Sequence, residues 1–200
     1  MKIKIKKEGK TKTFKLIQSW KDVTLETFLK LIEFQKGTKA WEAEKTIAAL
    51  SNIPKDLIKK LELKDVAAIM NEVAQLQADE KTTLKRIIEV EEKRYGFHPN
   101  LDSITLGEWA DIETFVGNDV EKYLPEVMAI LYRPIVEETE SGVYTIEAYD
   151  GNVTIRAEEM KKMSAEQVQS ALVFFYHLGN EWSSNFKSSL MQVQKEMKMQ

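Results

Sequence analysis

One construction recurs three times along the 200 residues and restricts the fold more than any other feature: a run of alternating strand-like residues that leads into a capped amphipathic helix. At the N-terminus Lys2, Ile3, Lys4, Ile5 and Lys6 alternate, Glu8-Gly9 supplies a turn, and Thr11, Thr13, Phe14 and Leu16 resume the pattern. This is the period-2 signature of a half-buried hairpin. The stretch "DVTLETFLKLIEF" follows, with Thr24 placed to cap a helix and Val23 and Phe28 placed to close a hydrophobic staple across the cap. The spacing predicts a helix from Leu25 to Gln35 that ends near Gly37. The second occurrence, "RIIEVEEKRYGFHPNLDSITLGEWADIETF", has Ile88 and Val90, a polar turn, then Tyr95 and Phe97. Thr105 caps the helix there, Glu108 completes a Thr-x-x-Glu capping box, and Ile104 and Trp109 form the staple.

The third occurrence is "VYTIEAYDGNVTIRAEEMKKMSAEQVQSAL", where Asp150-Gly151 between Tyr144–Ile146 and Val153–Ile155 reads as a tight hairpin. Ser164 caps the helix after it, Gln167 occupies the box position, and Met163 and Val168 are the staple pair. The three spacings are unequal, which rules out a fixed-period solenoid and leaves open both a true duplication and three independent uses of one device. Between the first two units "TKAWEAEKTIAAL", "PKDLIKKL" and "LKDVAAIMNEVAQLQ" predict three helices, the second opened by Pro54. After the second unit "NDVEKYLPEVMAILYRPI" predicts a helix stopped by Pro134, followed by an acidic loop with Glu137, Glu138 and Glu140.

The fold class expected is therefore α+β and predominantly helical: three hairpin-then-helix units, a helical insert and a long C-terminal helix. A single compact domain is expected over 1–200, with units at 1–36, 86–117 and 143–197 and the insert at 38–78. The last helix carries Leu172, Phe175, Gly179, Trp182, Phe186, Leu190, Val193 and Met197 at steps of three and four. Before Gly179 its other faces are apolar too; after it they turn to Asn180, Ser183, Ser184, Asn185, Lys187 and Gln192. Gly179 fits either a close backbone approach or a helix stop. The arm formed by Trp182, Phe186, Leu190, Val193 and Met197 either folds back on the insert or serves as a partner-binding surface. No apolar run approaches the roughly 20 residues that span a bilayer, so no membrane association is expected.

Charged residues make up 30% of the chain and leave a net charge of -3, which gives no global bias toward nucleic acid or an anionic membrane. Lysines 2, 4, 6, 7, 10, 12 and 15 form one basic cluster. A lysine-decorated strand edge protects against strand-to-strand aggregation, and without aromatic platforms beside it nucleic acid is not expected as a partner. The absence of cysteine removes thiolate nucleophiles, disulfides and cysteine-ligated metals, and fits a reducing compartment. The basic first fifteen residues lack the apolar core of a secretory signal, so the expected location is the cytoplasm. Of the two histidines, His98 stands in the loop "GFHPN" and His177 in an apolar run with Glu181 one turn on; neither has a metal-ligand companion at i+3 or i+4. His177 reads as a core or boundary residue, the alternative being a pH-sensitive or catalytic role. With no Gly-x-Ser-x-Gly elbow and no phosphate loop, neither catalytic residues nor a cofactor or metal are expected.

The stretches "LIEF", "LSNIPKDLIKKLELKDVAAIMNEV", "YGFHPNLDSITLGEWADIE", "VMAILYRPI" and "ALVFFYHLGNE" resemble small proteins encoded among the structural genes of tailed bacteriophages. The helical insert is similar to the tail assembly chaperones. The resemblance implies a non-enzymatic protein that binds other phage proteins, or itself, during tail morphogenesis in the cytoplasm of the infected cell. The alternatives are a permanent virion part, such as a head-to-tail connector or tail subunit, and an enzyme without a recognisable motif.

Overall fold

The computed structural model of the chain describes residues 2–7, 10–78, 83–119 and 121–171. Strands β1 (Lys2–Lys7) and β2 (Lys10–Lys15) pair antiparallel as a two-stranded ribbon, with Ile3 opposite Phe14. After a 3-10 turn at Trp20–Asp22, Thr24 caps α1 (Leu25–Phe34), its side chain accepting from the Thr27 N–H. The insert follows as α2 (Lys39–Leu50), capped by Thr38, the one-turn α3 (Lys55–Ile58) with Pro54 at its N-cap, and α4 (Leu63–Ala78).

Next come β3 (Ile87–Val90), β4 (Lys93–Phe97), a 3-10 turn at Leu101–Ser103 and α5 (Leu106–Asp119). Helix α6 (Leu124–Leu131) runs without a loop into β5 (Tyr132–Glu138), which turns back as β6 (Tyr144–Ile146). Helix α7 (Val153–Met160) follows, then residues 165–171 begin a further helix. There Ser164 and Gln167 make a reciprocal capping box, Ser164 N–H donating to Oε1 of Gln167 at 2.9 Å and Gln167 N–H to the Ser164 hydroxyl at 3.3 Å. The staple partners Met163 and Val168 are both fully buried.

Two apolar clusters hold these elements. One joins Ile88, Val90, Tyr95, Phe97 and Tyr132 of the sheet to α6, Ala157 and Met160 of α7, and Val168 and Ala171. The other joins Leu16, Trp20 and Leu31 to Ile47, Leu50, Ile58, Ile69 and Val73 of the insert, with Ile3 and Phe14 of the ribbon packed on it. Phe28 packs against both. Every residue of α6 but Glu126 is buried, which explains why its sequence is apolar on all faces.

The structure corrects the expected fold class. Its described residues are mixed, 53% helical and 19% strand, and four strands form one antiparallel sheet in the order β3-β4-β5-β6 instead of separate hairpins. A lone hairpin has too little apolar surface to be stable, and β4 gains a second partner in β5 through the pairs Tyr95–Pro134 and Phe97–Tyr132. The third hairpin does not exist. Gly151 does turn the chain, with φ +74°, but Val153, Ala157 and Met160 are buried at helical spacing while Ile155 is 64% exposed, so the segment is α7. Strand β6 instead pairs back on β5, where Glu137 and Glu138 are strand residues and not an acidic loop. Pro134 does not stop α6; Leu131 ends it, and Pro134 sits three residues into β5. Of the expected long C-terminal helix only 165–171 is described, and His177, Gly179 and the expected arm from Trp182 to Met197 lie outside the described residues.

Candidate functional site

Where β4 ends, the start of α5 and the first residues of β5 meet around a buried carboxylate. Helix α5 places Glu108, Ile112 and Phe115 on its inner face at i, i+4 and i+7, so the capping-box acid points inward and is only 1% exposed. Its Oε2 accepts from the Thr105 N–H at 2.7 Å and from the Thr105 hydroxyl at 2.6 Å, and the Thr105 hydroxyl accepts from the Glu108 N–H at 3.3 Å. Its Oε1 lies 2.7 Å from Nη2 of Arg133 on β5 and 3.6 Å from Nε2 of His98, the residue after β4. The His98 backbone N–H donates to the Leu131 carbonyl at 2.8 Å, which ties the chain after β4 to the end of α6. The Tyr149 ring covers the Arg133 guanidinium at 5.8 Å, and the Tyr149 hydroxyl donates to Asp111 of α5.

These contacts set the charge states. Burial pushes the Glu108 carboxyl up, but the two Thr105 bonds, with help from Arg133, outweigh it and hold the carboxyl below its ordinary value. Burial pushes His98 down; Glu108 pulls it back up less strongly, and Arg133 adds to the lowering. The cluster at neutral pH is therefore one carboxylate and one guanidinium beside a neutral imidazole. Both carboxylate oxygens are occupied and sealed from solvent, whereas a general base needs a free lone pair within reach of its substrate. The arrangement is a lock that ties α5 to the sheet.

Over the lock the surface is apolar. Leu101, Ile104, Leu106 and Trp109, with Asp102 and Thr105, line an open depression of about 490 Å³. Leu106, the first residue of α5, is 84% exposed there. A smaller recess of about 210 Å³ continues from Leu101 and Asp102 past Asn100, His98 and Arg86. Of the capping box, Glu108 thus anchors α5 to the sheet while Thr105 lines the groove.

Sequence reasoning singled out Thr105, Glu108, Ile104 and Trp109 for their capping roles, and these come together here. It placed His98 in a loop, and the structure buries it. It missed Arg133, Tyr149 and Leu106. An arginine inside the apolar run "VMAILYRPI" carried the signal, because a buried guanidinium requires a carboxylate partner. The nominated partner-binding residues Trp182, Phe186, Leu190, Val193 and Met197 lie outside the described residues. Among the described residues no group of three or more histidine or acidic side chains could hold a metal ion, and no helix is long and apolar enough to cross a membrane. Compared with protein-family models, with curated proteins and with solved structures, the chain matches none of them.

Proposed function

We propose that this chain is a non-enzymatic protein-binding module, and that the groove at the start of α5 seats an apolar side chain of its partner. The observation that carries this reading is Leu106, a large aliphatic residue almost wholly in solvent at the mouth of an apolar groove. Scattered exposed aliphatics are ordinary on any surface, but four apolar residues around one depression supply the desolvated centre that protein interfaces use. The lock beneath supports the reading further, since a groove fixed in advance loses less conformational freedom on binding. The arm from Trp182 to Met197, with its apolar stripe and polar back, is assigned to the same function as a second contact.

The setting assigned to this module is tail morphogenesis in a tailed bacteriophage, with the chain acting as an assembly chaperone. The support is the sequence resemblance, two of whose stretches, "YGFHPNLDSITLGEWADIE" and "VMAILYRPI", supply His98, the groove, the capping box and Arg133. The test is co-expression of the chain with each tail protein of its own genome, together with mass spectrometry of purified virions. The expected outcome is a complex of fixed stoichiometry with one tail component and absence of the chain from virions. A chain present in virions at fixed copy number contradicts the chaperone role, and failure to bind any tail component contradicts the setting.

A further inference from the structure

The ribbon and the sheet carry opposite charge at strand edges that no described strand covers. Seven of the 29 basic side chains lie in the first fifteen residues, beside Glu8 as the one acid of the 32. The remainder thus holds 22 basic and 31 acidic side chains, a net of -9. Strand β2 is tied to the body on its outer side: Lys15 N–H donates to Oδ1 of Asn52, Asn52 N–H donates to the Lys15 carbonyl, and Leu16 bridges Ser51. Strand β1 pairs only with β2 among the described residues, so no described strand covers its other edge. In the ribbon register Lys2 stands opposite Lys15 and Lys7 opposite Lys10, like-charge pairs that disfavour the ribbon unless something acidic relieves them.

The matching edge is β3, which among the described residues pairs only with β4 and ends the sheet. It bears the exposed Glu89 and runs into Glu91 and Glu92 at the turn; Glu91 contacts Lys162, while Glu89 and Glu92 have no ion-pair partner among the described residues.

We infer that β1 of one copy adds as an extra antiparallel strand to the β3 edge of a second copy, joining copies head to tail. Main-chain hydrogen bonds along the paired edges supply affinity, and lysine against glutamate supplies selectivity. Two ribbons repel one another, so the symmetric ribbon-to-ribbon pairing is disfavoured and the contact is heterologous, the kind that builds rings or filaments. A second copy is favoured over nucleic acid because the body, at -9, repels phosphate, and Phe14, the ribbon's single aromatic residue, packs on the core and leaves no platform for a base.

The test is light scattering of the full chain at several protein concentrations and salt levels. The 23.1 kDa chain should show a concentration-dependent mass above the monomer at low salt that falls as salt screens the contact. The double variants Lys4→Glu/Lys6→Glu and Glu89→Lys/Glu92→Lys should each weaken association at least tenfold, and combining all four changes should restore it. Circular dichroism checks the fold, and Lys4→Gln/Lys6→Gln serves if charge reversal unfolds the ribbon. Three outcomes overturn the inference: a wild-type monomer at every salt level, a four-fold variant that stays monomeric, or lysine changes that abolish binding of a duplex DNA oligonucleotide without altering mass. Leu106→Glu, which disables the groove, should leave this association unchanged, so the two readings fail separately.

Discussion

Glu108 is the residue on which most depends, since it caps α5 and neutralises Arg133. Breaking a buried pair from one side leaves an uncompensated charge, so Glu108→Gln should lower unfolding free energy by about 3–5 kcal/mol in urea melts. Thr105→Ala removes the hydroxyl's bonds to Glu108 but leaves the pair with Arg133, and should cost about 1 kcal/mol. A pH dependence follows from the same cluster. His98 titrates below the ordinary 6.5 in the folded state, so its contribution is complete above pH 6.5 and is lost as the pH falls toward its folded value. Glu108 adds loss in the same direction below 4.5. The wild-type melting temperature should therefore begin to fall near pH 6.5, and His98→Gln should flatten the limb just below it. Gly96 is required for a different reason: a Cβ there would stand 2.4 Å from the Tyr144 ring and 2.8 Å from Ile146. Moving that ring would break its hydroxyl bonds to the Phe97 and Arg86 carbonyls, and Gly96→Ala should cost about 1–3 kcal/mol in the same melts. Of these residues the sequence revealed the capping pair, because a box is local in the chain; Arg133, 25 positions away, belongs to the cluster only through the pairing of β4 with β5.

At the scale of elements, helix starts were legible and strand partners were not. Thr24, Thr105 and Ser164 all cap as their spacing implies, each bond closing within three residues. Val153 and Ile155 misled because β-branched residues after an Asp-Gly turn look like a returning strand, and the helical spacing of Val153, Ala157 and Met160 carried the decision instead. Pro134 misled because proline ordinarily ends a helix; in β5 its carbonyl accepts from Glu147 while its missing N–H leaves no reciprocal bond just past the end of β6. The β3–β4 turn holds two left-handed residues that are not glycine, Glu91 at φ 48° and Glu92 at φ 67°. Asn-Gly suits such a turn far better, so Glu91→Asn/Glu92→Gly should raise stability by about 1 kcal/mol, after loss of the exposed contact with Lys162, read as a higher denaturation midpoint.

At the scale of the molecule, the described residues place a sheet-centred cluster and an insert-centred cluster side by side, with Phe28 packed into each. The content of each cluster could be read from apolar periodicity, but the union of β3–β4 with β5–β6 depends on contacts between distant segments that no local pattern encodes. The groove was half legible for the same reason: Ile104 and Trp109 stand out as a staple pair, whereas the burial of Arg133 and His98 beneath them emerges only when the sheet is complete. The central claim is that a rigid apolar groove at the start of α5 binds a protein partner, and Leu106→Glu tests it most directly. An acidic residue in the first turn suits the helix dipole, so the variant should melt within about 0.5 kcal/mol of wild type. It also puts a charge at the mouth of the groove. Titration calorimetry against the partner isolated by co-expression should show affinity reduced at least tenfold with the melt unchanged; equal affinity in the two proteins would contradict the account.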